Sequence, residues 1–186
     1  MGGAIAQLVA RDHPDAVSGL VLSATSQHWQ DPGLRRYWRT MWPLSLALAV
    51  APRTTWRMGL RYVGLRESPR TAWVLAELIR HSAMDIAEAG RELSRFDSRP
   101  WLSRLDVPAA VIVTTEDHTV PPRKQRELAA ALYAAVFEAP IDHIQVTSRP
   151  KRYNPALLQA ISSVQERLGT LDDGSPRATA DAVGYA

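Results

Sequence analysis

Cysteine is absent from this 186-residue sequence. That excludes disulfides and thiolate metal centres. Lysine is nearly absent too, so arginine carries almost all the positive charge. No apolar stretch is long enough to cross a bilayer. The longest, Leu44 to Ala51, falls well short of the roughly 20 residues a spanning helix needs. The opening Met1-Gly-Gly-Ala has no basic region ahead of an apolar one, so no signal peptide is expected and the expected compartment is the cytoplasm. The five histidines (His13, His28, His81, His118 and His143) lack metal-ligand spacing. Neither a metal nor another cofactor is expected.

Hydrophobic residues make up 46% and charged residues 22%, values suited to a soluble globular protein of one domain with a modest insertion. The net charge is +3 and the isoelectric point about 9.6. The arginines are dispersed and nearly matched by 19 acids. With no binding motif among them, they do not predict a nucleic-acid partner.

The most informative stretch runs from Val107 to Pro122. Its unbroken apolar part, Val107 to Val113, predicts a strand buried on both faces, as in a parallel sheet. Thr114 and Thr115 continue it, and Pro121-Pro122 stop the ladder. Ligands of open α/β sheets bind beyond the carboxyl ends of the strands, where Asp117 lies. Asp117 is thus either a functional acid or an acid that caps a loop. Arg123 to Tyr133 predicts a helix, with Pro122 in its first turn and Leu128, Ala129 and Leu132 on one face. A third strand is expected at 134–139, followed by His143. Strand, helix and parallel strand bring both strand ends to one edge. Asp117 and His143 should therefore meet, unless His143 is merely a loop histidine. An aspartate that orients a histidine is two-thirds of a hydrolytic triad in the order serine, acid, histidine.

The chain opens with a helix at 3–12, ended by His13-Pro14, and a strand at 17–23. The run Met1-Gly-Gly-Ala-Ile-Ala-Gln-Leu-Val-Ala, then Val17-Ser-Gly-Leu-Val-Leu, resembles the α/β-hydrolase fold family. It matches the helix after that family's nucleophile elbow and the next strand. Met1 and Gly2 match the last two positions of Gly-x-Ser-x-Gly, and Gly3 a common extension. The serine would directly precede Met1. Asp117, in Thr-Glu-Asp-His-Thr-Val-Pro, matches the family's acid loop. His143, in Ile-Asp-His, matches its histidine loop, with Pro140-Ile141 in place of the more usual glycine. The resemblance covers residues 1 to about 168, with 27–95 matching by position alone.

The resemblance implies an α/β fold: a partial α/β-hydrolase with a small parallel sheet of about three strands, flanked by helices and carrying an inserted helical cap. The core is expected at 1–26 and 96–168, the cap at 27–95 and a disordered tail at 169–186. Five of the six tryptophans fall in the cap segment, most of them expected in its core. Leu44 to Ala51 is read as helix. Ser68-Pro69 and a Ser82-x-x-Asp85 capping box open two more helices. The first should align Val74, Leu75, Leu78 and Ile79. A last helix is expected from Asn154-Pro155, with Leu157, Leu158, Ile161, Val164 and Leu168 on one face and Gly169 as its stop.

The resemblance assigns the base to His143, its orienting acid to Asp117, and one oxyanion donor to the backbone amide of Met1. The family reaction is attack on an ester or similar acyl bond, here of a small, fairly apolar substrate. Ser23, Ser26 and Ser148 do not sit in an elbow pattern. The expectation is therefore a fragment that keeps acid and histidine, lacks the nucleophile and is inactive alone. The strand at 17–23 would present an open apolar edge, prone to self-association or to pairing with a complementing N-terminal half. Two alternatives stand beside this: a non-catalytic module binding an apolar ligand or a partner strand, and an epoxide or halide hydrolase with an aspartate nucleophile.

Overall fold

The computed structural model describes residues 1–30, 41–62, 69–80 and 83–172. Its helices are α1 (Gly2–Asp12), α2 (Met41–Val50), α3 (Pro52–Tyr62), α4 (Pro69–Arg80), α5 (Ala83–Arg95), α6 (Pro122–Ala131), α7 (Gln145–Ser148) and α8 (Pro150–Asp172). The strands are β1 (Leu20–Ser23), β2 (Ala109–Thr114) and β3 (Ala135–Ala139). The chain divides into two compact units. One comprises residues 27–98 with Met1, the other residues 2–26 with the chain from Arg99 onward.

The second unit holds the small parallel sheet and flanking helices that the sequence leads one to expect. Its strands are all parallel in the order β1-β2-β3, with Leu22 opposite Val111 and Val111 opposite Val136. All six residues of β2 are buried, which explains its unbroken apolar sequence. Their side chains alternate between two cores. Ala109, Val111 and Val113 pack with Leu20, Leu22, Ala10 of α1, Leu128 and Ala129 of α6, and Leu132 just beyond it. Ala110 and Ile112 pack with Ala156, Ala160 and Val164 of α8 and with Ile141. Burying each large aliphatic side chain stabilises the unit by about 1.5–3 kcal/mol.

Several element boundaries differ from expectation. β1 starts at Leu20 because Pro14–Ala16 form a 3-10 turn, closed by Val17 N–H donating to Pro14 O at 3.1 Å. Gly19 then passes so close to α8 that a Cβ would stand 2.3 Å from Val164 Cγ1. The final helix begins at Pro150, not at Asn154, and Pro155 lies inside it. Proline is compatible with a first helical turn, and the seam that α8 offers the sheet offsets the amide lost at Pro155. That seam is Ala156, Ala160 and Val164, with Leu157 and Leu168 partly buried beside it. Leu158 is 63% and Ile161 37% exposed, so both lie off the expected face. Small residues on the seam let the helix lie close to β2 and β3. The helix also runs through Gly169 to Asp172, so residues 169–172 are helical rather than tail. The rest of the expected tail, residues 173–186, lies outside the described residues.

In the helical unit, Leu44 to Val50 is helical as read. Thr55 stitches α2 to α3: its hydroxyl lies 2.9 Å from Ala51 O and 3.0 Å from Ala47 O. Pro69 opens α4, where Val74, Leu75, Leu78 and Ile79 are all half-buried. The expected caps Ser68 and Ser82 lie outside the described residues. Trp29 is buried and Trp56 half-buried, whereas Trp73 is exposed. The ends of the unit meet: His28 bridges Asp97 antiparallel, and Ser98 N–H donates to Gln27 O at 2.8 Å.

Candidate active site

The carboxyl ends of β2 and β3 carry two loops that converge. Thr115 N–H donates to Ala139 O at 3.0 Å and Glu116 N–H to Ile141 O at 3.2 Å. The turn at Pro140 is held by Ile141 N–H to Ala139 O at 2.9 Å, and the Ile141 side chain is fully buried in the α8-side core. Proline and isoleucine thus anchor this loop where a glycine would leave it unpinned. Asp142 ties the two loops together. Its Oδ1 accepts from the backbone N–H of His143 at 2.6 Å and of His118 at 3.2 Å. Pointed into those amides, Asp142 does not orient the His143 ring, and the His118 side chain is 88% exposed.

The loops place His143 Nδ1 2.9 Å from Asp117 Oδ2. The two residues singled out in the sequence, 26 positions apart, are therefore hydrogen-bonded. The Asp117 side chain is wholly inaccessible, while that of His143 is one-third exposed. Burial alone would push the Asp117 carboxyl up toward neutrality. The hydrogen bonds from His143, Val120 N–H and the Thr114 hydroxyl outweigh it and hold the carboxyl below its ordinary value. Oδ1 accepts from Thr119 N–H at 2.8 Å and Val120 N–H at 2.7 Å. Oδ2 accepts from Thr114 Oγ1 at 2.8 Å as well as from the imidazole. The carboxylate so held takes Nδ1–H of the imidazole, leaving Nε2 as the ring nitrogen able to accept a proton.

Two participants were not singled out in the sequence: Thr114 and Gln125, both fully buried. Gln125, in the first turns of α6, reaches back to Thr114 and Val120. Its signal was a polar residue one turn before Leu128 and Ala129, on the face of α6 that is buried together with them.

Met1, the third assigned position, groups with the helical unit. Gly2 and Gly3 open α1, and a Cβ on Gly3 would come within 2.6 Å of three Thr25 side-chain atoms. Gln7, also fully buried, donates to Gly3 O at 3.1 Å and to Ser26 O at 3.3 Å. The start of α1 is thereby pinned against the loop that follows β1. Among the described residues, no group of three or more His, Asp or Glu side chains is placed to hold a metal. No described helix is long and apolar enough to cross a membrane.

The alpha/beta hydrolase fold family model matches residues 1–145, and the chain belongs to that family. Among curated proteins none matches. Solved structures do. A hydrolase from Pseudomonas aeruginosa PA01 superposes with a TM-score of 0.70 at 21% identity, over 86% of this chain and 61% of that one. An enol-lactonase from Burkholderia xenovorans LB400 gives 0.65 at 23%, over 87% and 63%. A thermophilic esterase from Thermogutta terrifontis gives 0.59 at 21%, over 90% and 62%. At these identities the likeness is one of fold. The chain spans about three-fifths of the length of these structures.

Proposed function

We propose that Asp117 and His143 are the orienting acid and general base of a Ser-Asp-His hydrolase acting on an ester or similar acyl bond. The observation that carries this is the buried, four-donor Asp117 carboxylate bonded to an imidazole that is one-third exposed. His143 Nε2 takes the proton of a serine hydroxyl as its oxygen attacks the carbonyl carbon. His143 then returns that proton to the leaving group, while the carboxylate stabilises the imidazolium without taking up the proton. The serine is supplied from outside these 186 residues, at the position before Met1, and the Met1 amide is one of the oxyanion donors. Residues 27–95 are the cap segment of such an enzyme, its substrate is small and fairly apolar, and the reaction takes place in the cytoplasm.

The test is turnover of a short-chain aryl ester by the 186-residue chain, alone and joined to an upstream segment carrying Gly-x-Ser. The chain alone should be inactive. The joined form should hydrolyse the ester and lose activity with Asp117→Asn or His143→Ala. Turnover indifferent to both substitutions sinks the assignment.

One observation favours a second reading, a non-catalytic module that binds a partner strand or an apolar ligand. Among the described residues β1 pairs with β2 alone, leaving its other edge open. Ile5 and Val9, one turn apart on α1, are 53% and 38% exposed. Such an edge would receive a complementing N-terminal half or a second copy of the chain. Strand or ligand binding with no turnover in the joined form would support this reading.

A further inference from the structure

The hydrogen bonds behind Asp117 have a direction, and it can be deduced from donors and acceptors. Gln125 Oε1 accepts from the Thr114 backbone N–H at 3.0 Å, which fixes the amide's orientation. Its nitrogen is then the donor group, with two protons. One goes to Val120 O at 2.7 Å, which has no proton to return. The other goes to Thr114 Oγ1 at 2.8 Å. Because the threonine oxygen receives a proton there, its own proton points to Asp117 Oδ2, 2.8 Å away. The competing position, Gln125 Oε1 at 3.2 Å from the same hydroxyl, is longer and already engaged by the Thr114 amide. A direct contact from Gln125 Nε2 to Asp117 Oδ2 is 3.4 Å and marginal.

We propose that Gln125 and Thr114 are positioning residues that form a one-way donor relay, Gln125 to Thr114 to Asp117, locking the carboxylate ionised and aimed at His143. This rests on the reading of Asp117 and His143 as a catalytic couple, but its test does not need activity. The relay is sealed: Gln125 and Thr114 are fully buried, so water does not substitute for a lost donor. Among the described residues, His143 is the one titratable side chain bonded to the Asp117 carboxylate. A methionine at 125 would nearly keep the size but supply no donor. Nothing would then hold the threonine proton toward Asp117, and Val120 O would be left bare.

The experiment is NMR on the 186-residue chain. In the unaltered protein, both Gln125 side-chain amide protons should exchange with solvent far more slowly than those of an exposed glutamine. The Asp117 carboxyl carbon should titrate below the ordinary carboxylate range. Thr114→Val should raise that midpoint by about one pH unit, the loss of one charge-assisted donor. Thr114→Ser should restore it, and Gln125→Met should raise it by less than Thr114→Val does. The imidazole Nδ1–H resonance of His143 should move with the midpoint. Fast exchange of the Gln125 amide protons in the unaltered protein overturns the relay even if the variants fail to fold. A folded Thr114→Val with an unmoved Asp117 midpoint overturns it as well. Failure of ester turnover leaves these readouts untouched and bears on the catalytic reading alone.

Discussion

The carboxyl ends of β2 and β1 lie in one sheet and are built to opposite standards. At the end of β2, a buried carboxylate, a hydroxyl and an amide satisfy one another, and the carboxylate alone accepts from Thr119, Val120, Thr114 and His143. At the end of β1, Ser23 Oγ and Thr25 Oγ1 are buried without a hydrogen-bond partner among the described residues, and Ala24 takes a positive φ of 50°. Burying a polar group unpaired costs on the order of 1–3 kcal/mol. The acid side of the site is thus self-sufficient within this chain, whereas the β1 side carries strain and unsatisfied hydroxyls.

The largest effects should fall on the acid side. In the joined, serine-bearing form, Asp117→Asn should lower kcat about ten-thousand-fold, because an amide there favours the wrong imidazole tautomer. His143→Ala should cost more, up to about a million-fold in kcat. Equal and small losses for both would erase the contrast between the two strand ends.

Packing gives the next effect. Ile112→Ala, in the fully buried strand, should destabilise the protein by about 2–5 kcal/mol in urea unfolding. Leu158→Ala, on the outer face of α8, should stay within about 0.5 kcal/mol. Similar losses at both positions would mean that Leu158 is covered in solution.

The β1 side is probed by Gly3→Ala, whose Cβ would overlap the Thr25 side chain. It should cost about 1–3 kcal/mol. Thr25→Ala still retains a Cβ, so it should relieve only part of that cost, while Thr25→Gly should relieve most of it. Full additivity of the two changes would mean that α1 does not approach this loop closely.

The smallest effect is in acid. Asp117 titrates below its ordinary value in the folded chain. Its contribution to stability is therefore complete above the unfolded value of about 3.9 and is lost as pH falls through the lower, folded value. Melting temperatures measured down through that range should fall more steeply for the native chain than for Asp117→Asn. Parallel slopes would show that the carboxylate is not held ionised by its donors.

Most of the acid side was legible because local chemistry and topology agree there. The run Val107 to Val113 announced a doubly covered strand, and the strand–helix–strand order placed Asp117 beside His143. Thr114 and Gln125 were not legible as partners. Their pairing spans 11 residues and depends on how the first turns of α6 fold back on β2, which no periodicity records. The outer helix was misjudged for a related reason. Large apolar side chains at 158 and 161 suggested the buried face, but the close approach to the sheet selected alanines at 156 and 160. β1 was drawn too long because Val17 reads as strand, whereas the turn Pro14–Ala16 holds its amide.

The most direct test is the protonation of the His143 ring in the 186-residue chain at neutral pH, read by long-range proton–nitrogen correlation. The account predicts an imidazole with its proton on Nδ1, protected from exchange by Asp117, and with Nε2 bare. A proton resident on Nε2, or a ring that averages freely between the two forms, would contradict it.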